Sequence, residues 1–179
     1  MLESIISSRT RIKLLMKFFI NSTTTSYLRD LESEFGESSN AIRMELNRLE
    51  GAGLLNSSRK GNKKLFKANT KHPLFSDIHN ILLKHTGLDH IVSKVICRLG
   101  GIRNAYLVGH FAHGQDNPVI DLLLVGENID MEYLYHVIRK AEKFIQRRIR
   151  YMTVNPEETP RLLKSYPEAL LLWREEDRS

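Results

Sequence analysis

The sequence changes period at Leu54. Upstream, apolar side chains recur at helical spacing in three short stretches. Ile12, Leu15, Met16 and Phe19 mark the first, residues 8–20, with Arg9, Arg11, Lys13 and Lys17 largely on its other side. Tyr27, Leu28, Leu31 and Phe35 mark the second, which Gly36 ends, and the polar run NSTTTS before it offers hydroxyl caps. Ile42, Leu46 and Leu49 mark the third, residues 39–52, with Ser38 or Ser39 as its cap and Gly51 and Gly53 as its stop. Downstream, Leu54–Asn56 and Lys64–Ala68 read as two strands about a tip at Arg59–Asn62.

The charge is as uneven as the period. The 179-residue chain has a net charge of +6, yet residues 1–70 carry 12 Lys and Arg against 7 Asp and Glu, and residues 71–179 carry 15 against 14. Residues 59–67, RKGNKKLFK, contain no acid. A hairpin tip so charged repels itself unless a polyanion lies close. On the third helix, Asn40, Arg43, Met44 and Asn47 lie opposite the apolar stripe, with Arg48 at the edge. Arg can bond two guanine acceptors and Asn can pair with the donor and acceptor of adenine, so this face suits a major groove.

Three helices followed by a basic hairpin is the order of a winged helix-turn-helix. The stretch from Arg9 to Asn69, above all NAIRMELNRLEGAGLL and the hairpin after it, resembles the small bacterial transcriptional regulators of the arsenic-repressor type. The resemblance implies double-stranded DNA as partner and a homodimer as the binding form. Ser39, Asn40, Arg43, Asn47 and Arg48 are then expected at bases or adjacent phosphates, and Arg59, Lys60, Lys63 and Lys64, in the wing at 57–67, at the phosphate backbone. Some relatives sense metals through paired cysteines. Residues 1–70 contain no cysteine, so that mode is not expected here.

Residues 73–86, PLFSDIHNILLKHT, place Leu74, Phe75, Ile78, Ile81, Leu82 and His85 on one helical stripe. This helix is expected to bridge two domains or to pair with its own copy. A second helical piece, LDHIVSKVICRL, carries the single cysteine, Cys97, read as a small buried hydrophobe with no disulfide partner. After the break at Gly100-Gly101 the pattern gives strands at Asn104–Val108 and Ile120–Val125, a helix at Met131–Gln146, a strand at Arg150–Val154 and a last helical segment ending in ALLLW. The expected fold is α+β overall: a winged helix over 1–70, a helical linker over 71–100 and a small α/β mixed-sheet domain over 101–179.

Between the first two of those strands lies VGHFAHGQDNPVIDLLLVG, residues 108–126. From Asn104 to about Val154 the chain resembles the minimal nucleotidyltransferase fold. In that family a glycine-bounded turn holds nucleotide phosphates, and two or three carboxylates hold divalent metal ions. Gly109, Phe111, Ala112 and Gly114 match the turn, but His110 stands in place of its serine. Val119 stands where the first carboxylate belongs, Asp121 keeps the second, and RIRYMTV offers no third. One carboxylate binds a divalent ion weakly, so neither catalysis, nor a metal, nor a cofactor is expected. Gly109, His110, Gly114 and Asp121 are expected to frame a pocket that takes a small nucleotide-like effector without reacting.

His110, His113, Asp116 and Asp121 are ligand-type side chains without helical i, i+4 pairing, so no zinc site is expected. The basic run QRRIR at 146–150 reads as a solvated helix end. No apolar stretch reaches the roughly 18 residues of a membrane span, and MLESIISSRTR lacks the pattern of an export signal, which points to the cytoplasm. The expectation is a DNA-binding transcriptional regulator whose second domain serves sensing, dimerisation or partner contact. The rival expectations are an active nucleotidyltransferase recruited by its winged helix, and an antitoxin-like protein-interaction module.

Overall fold

A computed structural model describes residues 2–175, which divide between His85 and Thr86 into two compact units.

The first unit opens with α1 (Arg9–Leu15), where the Ser8 hydroxyl accepts from the Arg11 N–H at 3.2 Å, and runs straight into a π-helical turn (Met16–Ile20) whose five residues are all buried. There follow β1 (Thr25–Tyr27), α2 (Leu28–Phe35), α3 (Ser39–Gly51), β2 (Leu55–Lys60), β3 (Lys63–Ala68) and α4 (Phe75–Thr86). Ser38 proves to be the cap of α3, accepting from the Ala41 N–H. The sheet order is β1-β3-β2, antiparallel throughout, and Leu14, Phe18, Leu31, Ile42, Leu46 and Leu55 build the core beneath it. This is a winged helix-turn-helix.

Two features differ from the sequence expectation. The stretch read only as caps contains β1, which gives β3 a partner on its second edge, with Thr25 opposite Lys67 and Tyr27 opposite Leu65. Lys17, expected at the surface, is buried, because the segment from Leu14 to Ile20 is buried on every face and Lys17 follows Leu14 by one helical turn.

Lys17 is tolerated there because its ammonium donates to both carboxylate oxygens of Glu34, at 3.0 and 2.7 Å. Two more cations of α1 reach the same way. Lys13 binds Glu37 at 2.6 Å, and Arg11 forks onto Glu45 at 2.8 and 3.2 Å. One helical segment thus grips α2, the turn after it and α3. Burial works against the charge of Glu45, but the Arg11 and Ser8 hydrogen bonds and the charges of Arg11 and Arg48 outweigh it and hold its carboxyl below the ordinary value. Glu37 is held low in the same manner, against burial, by hydrogen bonds from Lys13 and Thr10.

In the second unit, helical residues 88–98 run from α5 (Leu88–His90) through a π turn (Ile91–Val95) to a 3-10 turn (Ile96–Arg98) and pack against α7 (Met131–Ile145). The span 71–100, expected as one linker, is therefore shared between the two units. Gly87 makes the break: its φ is +84°, and a Cβ there would lie 2.6 Å from Ile145 Cγ2. Cys97, expected in the core, is exposed, because the buried residues Leu88, Ile91, Val95, Ile96 and Leu99 follow helical spacing and leave position 97 on the opposite face.

The sheet of this unit combines β4 (Ile102–Val108), β5 (Val119–Gly126), β6 (Arg148–Val154) and β7 (Leu170–Arg174) in the order β6-β5-β4-β7. β5 runs parallel to β6, and β4 runs antiparallel to both β5 and β7. The short helix α6 (Gly109–Ala112) follows β4, and α8 (Thr159–Leu163) precedes β7. ALLLW, expected to end a helix, is mostly β7. β4 leaves an edge open, and Leu170 pairs there with Leu107 and Trp173 with Ala105. On one face of the sheet, Val108, Leu123, Val125 and Val154 are covered by Leu162, Leu163 and Tyr166. The second unit has the mixed sheet of a nucleotidyltransferase-like domain, and no described helix is long and apolar enough to cross a membrane.

The lowered carboxyls set a pH dependence. Each contributes stability that is fully present above its ordinary value near 4.5 and is lost as pH falls through the lower, folded value. Thermal unfolding followed by circular dichroism is expected to hold its midpoint down to about pH 5 and to fall below that. Glu45→Ala should remove about 1 kcal/mol at neutral pH and make the acid loss shallower.

Candidate nucleic-acid interface and ligand cleft

α3 buries Ile42, Leu46 and Leu49 and leaves Asn40, Arg43, Met44, Asn47 and Arg48 exposed. The helical stripe opposite the core is thus where its spacing put it. Two of these residues have partners: Arg48 binds Glu45 at 3.2 Å, and Asn40 touches the sulfur of Met44. Ser39 is half-buried and donates to Glu32, which turns its hydroxyl back toward α2. Arg43 and Asn47 make no side-chain hydrogen bond among the described residues.

The wing is longer and sharper than its expected strands, with only Gly61 and Asn62 between β2 and β3. Its register sets like charges against each other: Lys60 lies opposite Lys63, and Arg59 opposite Lys64. Cross-strand pairs of one sign destabilise a hairpin. Among the described residues only Lys64 of these four has an acid partner, Glu50 at 2.6 Å. Glu50 also accepts from Ser57 Oγ at 2.5 Å, so one carboxylate ties the end of α3 to both strands of the wing. Those hydrogen bonds, Lys64 first, hold its carboxyl below the ordinary value. Lys63 lies over the ring of Tyr27, 5.7 Å from its centroid.

Four acids of this unit are paired with cations. Glu34, Glu37, Glu45 and Glu50 meet Lys17, Lys13, Arg11 with Arg48, and Lys64 respectively. Arg43, Arg59, Lys60 and Lys67 remain exposed, with no ion pair among the described residues, on α3 and the wing.

In the second unit, Gly109, Asp121, Arg150, Met152 and Tyr166 help line a cleft of about 310 Å³. Gly109 starts α6 with φ +67°, and a Cβ there would stand 2.8 Å from Asp121 Oδ2. The turn needs glycine twice over, for its conformation and for room. Asp121 is 7% exposed and accepts from Arg150 Nε at 2.5 Å. That hydrogen bond, and then the carboxylate's charge, raise the already high pKa of Arg150.

The other two residues expected to frame this pocket lie elsewhere. His110 is exposed and bonds to Gln115 at 3.0 Å, and Gly114 is buried in the turn after α6. Asp116 faces Arg147 at 2.7 Å, away from Asp121. The run QRRIR, expected as a solvated helix end, crosses from the end of α7 into β6: Arg148 and Arg150 stay exposed while meeting Glu142 and Asp121, and Arg147 is half-buried and donates to the carbonyl of Asn117. Tyr151, Met152 and Tyr166 line the cleft without having been singled out in the sequence. The parallel register of β6 with β5 puts the first two there, setting Leu122 beside Tyr151 and Leu123 beside Met152.

A nucleotidyltransferase-like fold implies divalent metal ions on this cleft, and the residues present do not fit them. Val119 pairs in register with Arg148, and the lone carboxylate Asp121 already has a cationic partner. Among the described residues no group of three or more His, Cys, Asp and Glu could hold a metal ion.

No family model and no curated protein matches the chain. Several solved structures resemble parts of it. Reduced HlyU from Vibrio cholerae aligns at 16% identity and TM-score 0.37 over 46% of this chain and 82% of its own. A candidate nucleotidyltransferase from Sulfolobus solfataricus aligns at 20% identity and TM-score 0.38 over 57% of this chain and 90% of its own. A tri-AMPylated Shewanella oneidensis HEPN toxin in complex with MNT antitoxin aligns at 13% identity and TM-score 0.36 over 50% of this chain and 71% of its own. The architecture of the chain, a winged helix joined to a nucleotidyltransferase-like domain, follows from its own strand order and packing.

Gly109→Ala tests the tightness of the cleft. Forcing a Cβ into the left-handed region and against Asp121 should cost about 2 kcal/mol of stability, measured by urea unfolding. Adding Asp121→Ala should recover part of that loss, because the clash goes and the backbone strain stays.

Proposed function

We propose that the chain is a transcriptional regulator that binds double-stranded DNA as a homodimer, in the manner of bacterial winged-helix regulators of the arsenic-repressor type, in the cytoplasm. The observation that carries this reading is the wing register, in which Lys60 opposes Lys63 and Arg59 opposes Lys64 with one carboxylate among them. Such a hairpin is relieved by a phosphate backbone. α3 then lies in the major groove, with Asn40, Arg43, Asn47 and Arg48 near base edges and adjacent phosphates. Arg59, Lys60 and Lys63 neutralise phosphates, while Lys64 acts mainly through Glu50 to set the wing against α3.

α4 supports the dimer. Leu74, just before it, is 53% exposed and Ile81 is 48% exposed, and with Ile78 they form a stripe at i, i+4, i+7. In the second unit, a cleft with one carboxylate already paired to arginine supports a non-catalytic role, binding a small nucleotide-like effector beside Gly109 and Arg150.

Selection of bound sequences from random DNA should enrich a palindrome. Changing Arg59, Lys60 and Lys63 to alanine should weaken binding to all sequences and flatten the dependence of log affinity on log salt by roughly 0.9 for each phosphate no longer neutralised. Unchanged affinity sinks the wing assignment. Ile81→Glu should shift the chain from dimer to monomer in sedimentation and, with it, weaken binding to the palindrome.

A further inference from the structure

The second unit carries a basic groove that the reading above does not use. Its floor is apolar, made by Val95 from the helical residues 88–98 and by Val137 and Ala141 from α7, and its volume is about 470 Å³. Lys94 and Arg98 stand along one side and Lys140 along the other. None of these three cations has an ion pair among the described residues, whereas Arg139, next to Lys140, meets Glu142. No acid lines the groove: Asp89, Glu132 and Glu142, the nearest in sequence, are not among its lining residues, and Glu142 meets Arg139 and Arg148.

Its rings are as unusual as its charge. Phe144 is 70% exposed at one end, with one face stacked on His90 at a centroid distance of 4.1 Å and an interplanar angle of 16°. Tyr133, 44% exposed, lies three turns back on the same stripe of α7, roughly 16 Å away at 1.5 Å per residue. His136 lies between them. Two rings so open to water are unfavourable, and burial against a ligand removes the penalty.

We propose that this groove binds single-stranded nucleic acid. Bases stack on the open face of Phe144 and on Tyr133, and the phosphates between them meet Lys94, Arg98 and Lys140. A duplex hides its base faces, an acidic peptide has no use for two stacking platforms, and a single nucleotide reaches one ring but not both. The site is separate in sequence and chemistry from α3 and the wing, so it stands or falls independently of duplex binding.

The test uses the full chain carrying Arg59→Ala, Lys60→Ala and Lys63→Ala, which removes the wing as a competing polycation. Fluorescence anisotropy with labelled oligothymidylate and oligouridylate, each about twelve nucleotides long so as to span both rings, should show salt-dependent binding of at least one. Phe144→Ala and Tyr133→Ala should each weaken it about tenfold, and Lys94→Glu with Lys140→Glu should weaken it further. All four side chains are exposed or at the groove rim, and unchanged melting curves check that the variants fold. Affinity indifferent to Phe144 and to the two lysines overturns the assignment. So does competition by a mononucleotide or by polyglutamate as strong as that of the unlabelled oligonucleotide, the first marking a small-molecule site and the second a protein-docking groove.

Discussion

The first unit depends on where one helical segment directs its charge. Arg11, Lys13 and Lys17, on α1 and the π turn that continues it, each reach an acid on a different part of the helix-turn-helix: Glu45 on α3, Glu37 in the turn and Glu34 on α2. Lys17 is the innermost and could not be buried without the two-oxygen grip of Glu34, since an unpaired ammonium in a core is far too costly. The ladder fixes α3 relative to α1 by directional contacts in addition to the greasy contact of Ile42 and Leu46. It also occupies three of the four cations on this segment, while Arg43 on α3 and Arg59, Lys60 and Lys67 on the wing keep no ion pair among the described residues.

The second unit answers a related problem differently. Asp121 is nearly buried on a strand whose neighbours are apolar, and a fold of this kind would be expected to surround that position with metal-holding acids. Here β6 supplies arginine at the register position beside it. A side-chain cation on a flexible stem satisfies the carboxylate without the coordination geometry that polarises a phosphate. The glycine turn at Gly109 is kept because Asp121 leaves no space for a side chain.

The periodic parts of the chain were legible in its sequence. α2 and α3 follow their apolar stripes, α7 falls within its expected range, Ser38 is one of the two hydroxyls expected to cap α3, and the wing follows its basic turn. What escaped has physical reasons. β1 is three residues long, too short for alternation to show, and exists because β3 has an edge to fill. LLLW fits either a buried helix or a strand, and the open edge of β4 decides. Lys17 lies in a segment buried on every face, which its one-sided apolar stripe did not announce, and Cys97 lies opposite the buried stripe of Leu88, Ile91, Val95 and Leu99. The Asp121–Arg150 pair spans 29 residues and needs the strand register before it can be seen.

Glu50 joins Ser57 and Lys64 to the last turns of α3, so the helix and the wing behave as the two jaws of a fixed caliper. On the proposed reading as a DNA-binding unit, a surface of that kind would measure the distance from groove to backbone without adapting to it. Duplexes whose groove width departs from that setting would be penalised even at positions no side chain touches, a selection by shape as well as by base.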